Sequence, residues 1–163
     1  MSEFMISPGL IMVLGAILIP LLGGGLRILL LLGLPALTLA AVWMLPADAS
    51  VQIAFLDYTL EPVRSSPEGR LFATVFGIMA FVGGLYAYGQ ASTRELTAAF
   101  IYAGSAIGVT FAGDLLTVFV FWEIMALGST VVIWSAGTQT AYSAGLRYLL
   151  IHLLGGVILM VGI

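Results

Sequence analysis

The chain has no cysteine and very little charge. The absence of cysteine from all 163 residues excludes disulfide frameworks, thiolate zinc sites and cysteine nucleophiles. Charged residues make up only 8% of the sequence and none of them is lysine, so we find no basic patch that would bind nucleic acid. One histidine cannot form a metal site alone, and the sequence has no glycine-rich phosphate loop. We therefore expect no catalytic residue, no metal and no cofactor.

What the sequence does contain is apolar residues, which make up 61% of it. So few residues are polar that a water-facing surface could not be built, whereas lipid accommodates an apolar exterior. Long apolar stretches alternate with short polar breaks, as in a protein that crosses the bilayer several times. The predicted fold is an all-α polytopic transmembrane helical bundle, with the lipid bilayer as its surroundings.

The polar breaks divide the chain into about six spans within a single transmembrane domain, residues 1–163. Ser92, followed three residues later by Glu95, predicts the start of one helix, and Asp114 predicts the cap of the next. The spans are expected at about 8–22, 26–45, 71–88, 95–112, 115–134 and 141–163, with an extramembrane loop at 47–70.

The loop at 47–70 shows a weak strand pattern. Val51, Ile53 and Phe55 alternate with smaller or polar residues, which favours a small β-hairpin. We place its turn at Asp57 and Tyr58, and a further break at 67–69, where proline and glycine occur together.

The arginines give an orientation. An outside N-terminus puts Arg27, Arg94 and Arg147 on the inner side of the membrane, where positive residues accumulate.

The last span runs to the final residue without a polar tail, so we expect the chain to be a fragment or one half of a split subunit.

Glu123 is the most informative polar residue. It lies eight residues past Leu115, about 12 Å into a hydrocarbon core roughly 30 Å thick. A carboxylate at that depth costs about 2.5 to 3.5 kcal/mol on insertion scales, which points to a functional role. We interpret it as a carboxyl that loads and releases protons. The alternative is a protonated glutamic acid that is hydrogen-bonded to a neighbouring helix for packing.

His152 lies eleven residues past Ala141, and Glu123 lies eleven before Trp134, so on antiparallel spans they reach a similar depth. Because histidine exchanges a proton near neutral pH, the two side chains could form a two-station proton pathway. The alternative is a neutral histidine that donates one hydrogen bond across a helix interface.

Three further residues, Arg147, Gly104 and Gly108, have mainly structural interpretations. Arg147 lies about 9 Å into its span, so its side chain can reach the surface as a topology anchor, or it can act as a pathway cation that tunes Glu123. Gly104 and Gly108 form a small-xxx-small face, which more often signals helix packing than chemistry.

Two segments carry a family resemblance. Residues 113–127, with Phe121, Trp122 and Glu123 at their core, followed by residues 146–152, resemble the antiporter-like family. That family comprises the D-type subunits of multisubunit (Mrp-type) sodium/proton antiporters and the proton-pumping membrane subunits of NADH dehydrogenase. The resemblance implies that this chain corresponds to the N-terminal part of the antiporter-like fold, with Glu123 matching a glutamate that pairs with a lysine on a later span. This chain has no lysine and lacks those later spans.

The resemblance implies a bacterial inner-membrane, multi-pass subunit of a monovalent cation/proton antiporter that contributes part of a proton pathway. Its partners would be other antiporter subunits, protons, and sodium or another monovalent cation. It would be a transporter subunit and not an enzyme by itself, although an NADH dehydrogenase label can follow from the family. Two alternatives stay open: a proton-pumping subunit of a redox complex, and a structural or assembly subunit that binds partners through the Gly104 and Gly108 face.

Overall fold

A computed structural model describes residues 6–162 of the chain. Six α-helices form a bundle, which confirms the predicted all-α membrane fold, and one β-hairpin is added to it. The elements are α1 (Pro8–Ile17), a 3-10 turn (Ile19–Leu21), α2 (Gly24–Met44), β1 (Ser50–Phe55), β2 (Tyr58–Arg64), α3 (Pro67–Ala87), α4 (Thr93–Phe111), α5 (Leu115–Trp134) and α6 (Gln139–Val161).

Four helices begin with a side chain that accepts a hydrogen bond from the backbone three residues ahead. The caps at Ser92 and Asp114 confirm the two predicted ones, and Ser66 and Thr138 cap α3 and α6 in the same way. Each such cap satisfies a backbone N–H that the first turn leaves free, and is worth about 1 kcal/mol. Helix starts in this chain are therefore specified locally.

Several helix boundaries differ from the prediction by one or two residues, and two differ by more: α1 ends at Ile17, five residues before the expected end, and α3 begins early. The proline at position 67 does not interrupt the chain but opens α3, four residues before the expected start. Proline is tolerated in the first turn of a helix, where its missing N–H would have no partner, and Ser66 supplies the cap. The segment between α2 and α3 is shorter than expected as a result.

The centre of the bundle is α4, which contacts α1, α3 and α5. It approaches α1 closely, because a Cβ at Gly104 would lie only 2.9 Å from the backbone oxygen of Gly9. The buried apolar residues come mainly from α1 to α4 and form a continuous core: Met12, Ala16, Ile19, Leu31, Leu34, Val42, Ala73, Leu96, Phe100, Ile107 and Phe111.

Four helices are long and apolar enough to cross a membrane: α2, α3, α5 and α6. The apolar helical stretch Pro8–Leu21 is shorter, and α4 is not among the four. Helix α4 lies in the middle of the bundle, where α1, α3 and α5 cover it, so its composition is less constrained by lipid, whereas α1 is apolar but short. The outer face of α6 is apolar and exposed, as lipid contact requires. Of the expected sixth span, residue 163 lies outside the described residues.

The β-hairpin expected between the second and third spans is present, with β1 and β2 antiparallel. The predicted turn was wrong by one residue, because Tyr58 pairs with Phe55 and the turn is formed by Leu56 and Asp57. Leu56 has a φ of 54°, a left-handed conformation that side chains disfavour. The hairpin is held to the ends of α4 and α5 by Glu61, whose backbone oxygen accepts a hydrogen bond from Gly113 N at 2.8 Å.

Candidate functional site

The helices α5 and α6 pack against each other as an antiparallel pair. Next to their connecting turn, the rings of Trp134 and Tyr142 stack with centroids 5.5 Å apart, and Trp134 Nε1 donates a hydrogen bond to Tyr142 O at 3.2 Å. The Trp134 side chain also lies over Gly145, where a Cβ would be 2.5 Å from Nε1. These contacts join the two helices next to the turn.

Farther along the helix pair, Glu123 lies against Gly156. Eleven residues separate Trp134 from Glu123 on α5, and eleven separate Gly145 from Gly156 on α6. The two helices therefore stay in step over about 16 Å. A Cβ at Gly156 would overlap Oε1 of Glu123, so the carboxyl lies directly on the α6 backbone.

The carboxyl group of Glu123 is buried, although the residue as a whole is only half-buried. Among residues 6–162, neither Oε1 nor Oε2 has a hydrogen-bond partner. Buried polar atoms in proteins are nearly always hydrogen-bonded, and a buried charge without a partner costs several kcal/mol. Within the described part of the chain, nothing compensates a charge on this carboxyl.

His152 lies on the same face of α6, one helical turn before Gly156. Its ring is flanked by Trp122 and Tyr148, with centroid distances of 5.6 and 5.7 Å. Its Nε2 is buried and, within the described part of the chain, has no hydrogen-bond partner. The structure thus brings Glu123 and His152 to one helix interface, but no hydrogen bond joins them there.

Arg147 lies elsewhere on α6. Its side chain is exposed, and its Nε donates to Ser143 O on the same helix at 3.3 Å. Within residues 6–162 it does not pair with Glu123, whose oxygens have no partner. This position suits a topology anchor better than a cation that acts on the carboxyl.

A large apolar cleft of about 800 Å³ lies between α3, α4 and α5 next to this interface. Trp122 lines it on one side, and none of its lining residues is charged. The cleft therefore offers Glu123 no counter-charge. Across residues 6–162, no group of three or more histidine, cysteine, aspartate or glutamate side chains could hold a metal ion.

Gly104 and Gly108 are both buried inside the bundle. Gly104 lies against α1, and a Cβ at Gly108 would overlap the ring of Phe121. The face is thus filled by this chain's own α1 and α5. The expectation that a structural subunit would bind its partners through this face is wrong, because no room is left there.

Asp114 has a larger role than the predicted helix cap. Its Oδ1 accepts from Thr117 N at 2.8 Å, and its Oδ2 accepts from Thr117 Oγ1 at 2.5 Å and from Glu61 N at 2.7 Å. Glu61 in turn accepts from Ser50 Oγ at 2.6 Å. One carboxylate therefore joins the β-hairpin to the first turn of the helix that carries Glu123.

These hydrogen bonds set the protonation of Asp114. Burial is the largest single influence and raises the pKa of Asp114, but the hydrogen bonds from Thr117, Glu61 and Leu116 together outweigh it. The net pKa is lowered from the ordinary value of 3.8, so the carboxylate is charged at neutral pH.

Sequence reasoning missed the roles of Tyr148 and Gly156. Both are four residues from His152, so the helical period alone places all three on one face of α6. Gly155 and Gly156 are adjacent on α6, and the sequence alone does not distinguish them. The structure separates them, because a Cβ at Gly155 would meet nothing within 4 Å.

Comparison with known proteins supports a membrane role for this part of the chain. Residues 112–163, which contain α5, α6, Glu123 and His152, match the family described as NADH:quinone oxidoreductase/Mrp antiporter, TM. An uncharacterized protein of Methanocaldococcus jannaschii is 30% identical over 59 residues, which are 36% of this chain and 12% of that protein. The chain thus spans only a small part of that relative. The family match supports a broad grouping with the membrane subunits of antiporters and respiratory complexes.

Proposed function

We propose that this chain is a cell-membrane subunit of a multisubunit monovalent cation/proton antiporter and that Glu123 is its proton-exchanging residue. The observation that carries the proposal is the Glu123 carboxyl, buried at the α5–α6 interface with no hydrogen-bond partner in the described chain. That residue lies inside the segment that matches the antiporter and respiratory family. Sodium or another monovalent cation is the proposed counter-ion, and other antiporter subunits are the proposed partners.

A purely structural role for Glu123 fits the geometry poorly. A glutamic acid kept for packing would donate or accept a hydrogen bond across the helix interface, because an unsatisfied polar group destabilises the fold. Glu123 instead faces a glycine and an aromatic ring edge, neither of which satisfies its oxygens. Its placement is costly for stability, as functional carboxyls in membranes commonly are.

His152 is the proposed second station of the pathway. It lies one turn from the point where Glu123 meets α6, and its buried Nε2 also has no partner within residues 6–162. On these two helices, within residues 6–162, the buried titratable atoms without a partner are the oxygens of Glu123 and Nε2 of His152. The two groups together form a short path along the α5–α6 interface.

A redox-driven proton pump is the second candidate, because the matching family description names NADH:quinone oxidoreductase beside the antiporters. Glu123 and His152 would have the same roles there, with a different driving force. Purification of the native complex distinguishes the two candidates: iron-sulfur and flavin subunits in the preparation would favour the pump.

The test is cation/proton exchange in everted vesicles that contain the complete complex. We expect Glu123→Gln, which keeps the side-chain shape but cannot exchange a proton, to slow exchange on the order of a hundredfold, the scale of a lost proton-transfer group. Glu68→Gln is the matched control, because Glu68 is exposed in the first turn of α3. Unchanged exchange in the Glu123→Gln complex, at normal subunit content, would refute the proposal.

A further inference from the structure

Two adjacent glycines on α6 have opposite surroundings. A Cβ at Gly155 would meet no atom within 4 Å. A Cβ at Gly156 would overlap Oε1 of Glu123, and would lie 3.0 Å from Cε2 of Phe119 and 3.3 Å from Cδ of Glu123. Any side chain at Gly156 would therefore displace the carboxyl, whereas one at Gly155 would not.

The space at Gly156 is a notch in the α6 surface. Phe119 and Glu123 are four residues apart on α5, so both project toward α6 from the same face. The ring of Phe119 closes one side of the notch, and the carboxyl of Glu123 fills the rest. The backbone of α6 forms the floor, because Gly156 has no side chain.

We propose that Gly156 is a positioning residue for the proton site: its missing side chain holds the Glu123 carboxyl inside the helix interface, one turn from His152. This inference rests on the proposed function of Glu123. With the notch filled, the carboxyl must rotate away from Gly156, so it leaves the buried position that it now occupies one helical turn from His152. The position of a proton-transfer group decides its rate, since transfer needs hydrogen-bond reach, directly or through one water.

A packing role for Gly156 is the competing explanation, since small residues let membrane helices approach closely. The chain provides a comparison for it. Gly145 lies on the same helix interface, and a Cβ there would meet Trp134 with no carboxyl nearby. Gly145→Ala therefore perturbs helix packing alone, while Gly155→Ala tests the replacement of a helix glycine without any contact.

The experiment combines two measurements on Gly156→Ala, Gly155→Ala and Gly145→Ala. Exchange is measured in vesicles with the complete complex, and the carboxyl C=O band of Glu123 is measured by pH-dependent infrared difference spectroscopy of the purified chain. Loss of that band in Glu123→Gln assigns it. We expect Gly156→Ala to slow exchange roughly tenfold and to shift the infrared band of Glu123. Gly155→Ala should change neither the exchange rate nor the band. Gly145→Ala should leave the band in place.

A second variant covers the case in which Gly156→Ala assembles poorly. Aspartate is one methylene shorter than glutamate, so Glu123→Asp makes room for the added methyl group. We expect the double variant Glu123→Asp with Gly156→Ala to exchange faster than Gly156→Ala alone. Absence of this rescue, with both variants assembled, would contradict the positioning role.

The outcomes separate the two proposals. If Glu123→Gln exchanges normally, the proposed function fails. If Glu123→Gln is inactive but Gly156→Ala leaves both the rate and the band unchanged, the function stands and the positioning role fails. A band shift of equal size in Gly145→Ala would also overturn the positioning role, because general loosening of the helix pair would then explain it.

Discussion

The carboxylate of Asp114 joins the β-hairpin to α5, so its removal should release the hairpin. It accepts two hydrogen bonds from Thr117 in the first turn of α5 and one from the backbone N–H of Glu61 in β2. A lost helix cap costs about 1 kcal/mol. A lost hydrogen bond to a charged group costs about 1.5 kcal/mol at the lower limit, which suits a partly exposed site. For Asp114→Ala we therefore expect a destabilisation of about 2 to 2.5 kcal/mol.

Hydrogen exchange of the hairpin amides in detergent is the direct assay. Since 1.4 kcal/mol corresponds to a tenfold change in an equilibrium, loss of the Glu61 bond should speed exchange at Glu61 N roughly tenfold. Ser92→Ala is the matched control, because Ser92 caps α4 with one hydrogen bond and does not touch the hairpin. It should cost about 1 kcal/mol and leave exchange in the hairpin unchanged. Equal protection of Glu61 N in Asp114→Ala and the unmodified chain would refute the reasoning.

The effect of Asp114→Ala should depend on pH. The pKa of Asp114 is lowered in the folded chain by its hydrogen bonds, so its stabilisation is complete above the unfolded-state value of 3.8. It is lost as the pH falls through the lower folded-state pKa. The stability difference between Asp114→Ala and the unmodified chain should stay constant from neutral pH to about pH 4 and shrink at more acidic pH.

Two further predictions concern backbone conformation and packing. Gly108→Ala should destabilise the bundle by about 1 to 3 kcal/mol in thermal unfolding, because its Cβ would overlap Phe121, whereas Gly83→Ala, with nothing within 4 Å, should not destabilise it. A stable Gly108→Ala would contradict the close approach of α4 and α5. Leu56→Gly should stabilise the hairpin by about 0.5 to 1 kcal/mol, measured by exchange of its amides, because it relieves the positive φ. Asp57→Gly should not stabilise the hairpin, because φ is not positive at Asp57. Equal stabilisation by Leu56→Gly and Asp57→Gly would refute the proposal that Leu56 is strained.

The helical fold and the caps of α4 and α5 were predictable because they depend on local chemistry. Ser92 and Asp114 each cap the turn that follows them, and a cap needs nothing beyond three residues of sequence. The start of α3 was not predicted, since a proline signals both a helix break and a helix start. Only the neighbouring Ser66 side chain, which bonds to Gly69 N, decides between them.

The sequence allowed an estimate of the depths of Glu123 and His152 in the bilayer, but not of the α6 residue that the Glu123 carboxyl contacts. Counting residues placed Glu123 and His152 at a similar depth, whereas in the structure the Glu123 carboxyl meets α6 at Gly156, one turn beyond His152. The rotation of α6 about its own axis was not accessible, because the helix is apolar on all sides and carries no clear stripe. That rotation decides that Gly156, and not Gly155, meets the carboxyl.

The attachment of the hairpin to α5 has a mechanical consequence. An α-helix is stiff along its axis, and Glu123 lies about 12 Å from the turn that Asp114 holds. Because Asp114 and Glu123 are joined by the same helix, a displacement of α5 at its hairpin-bound end would also displace Glu123 relative to Gly156.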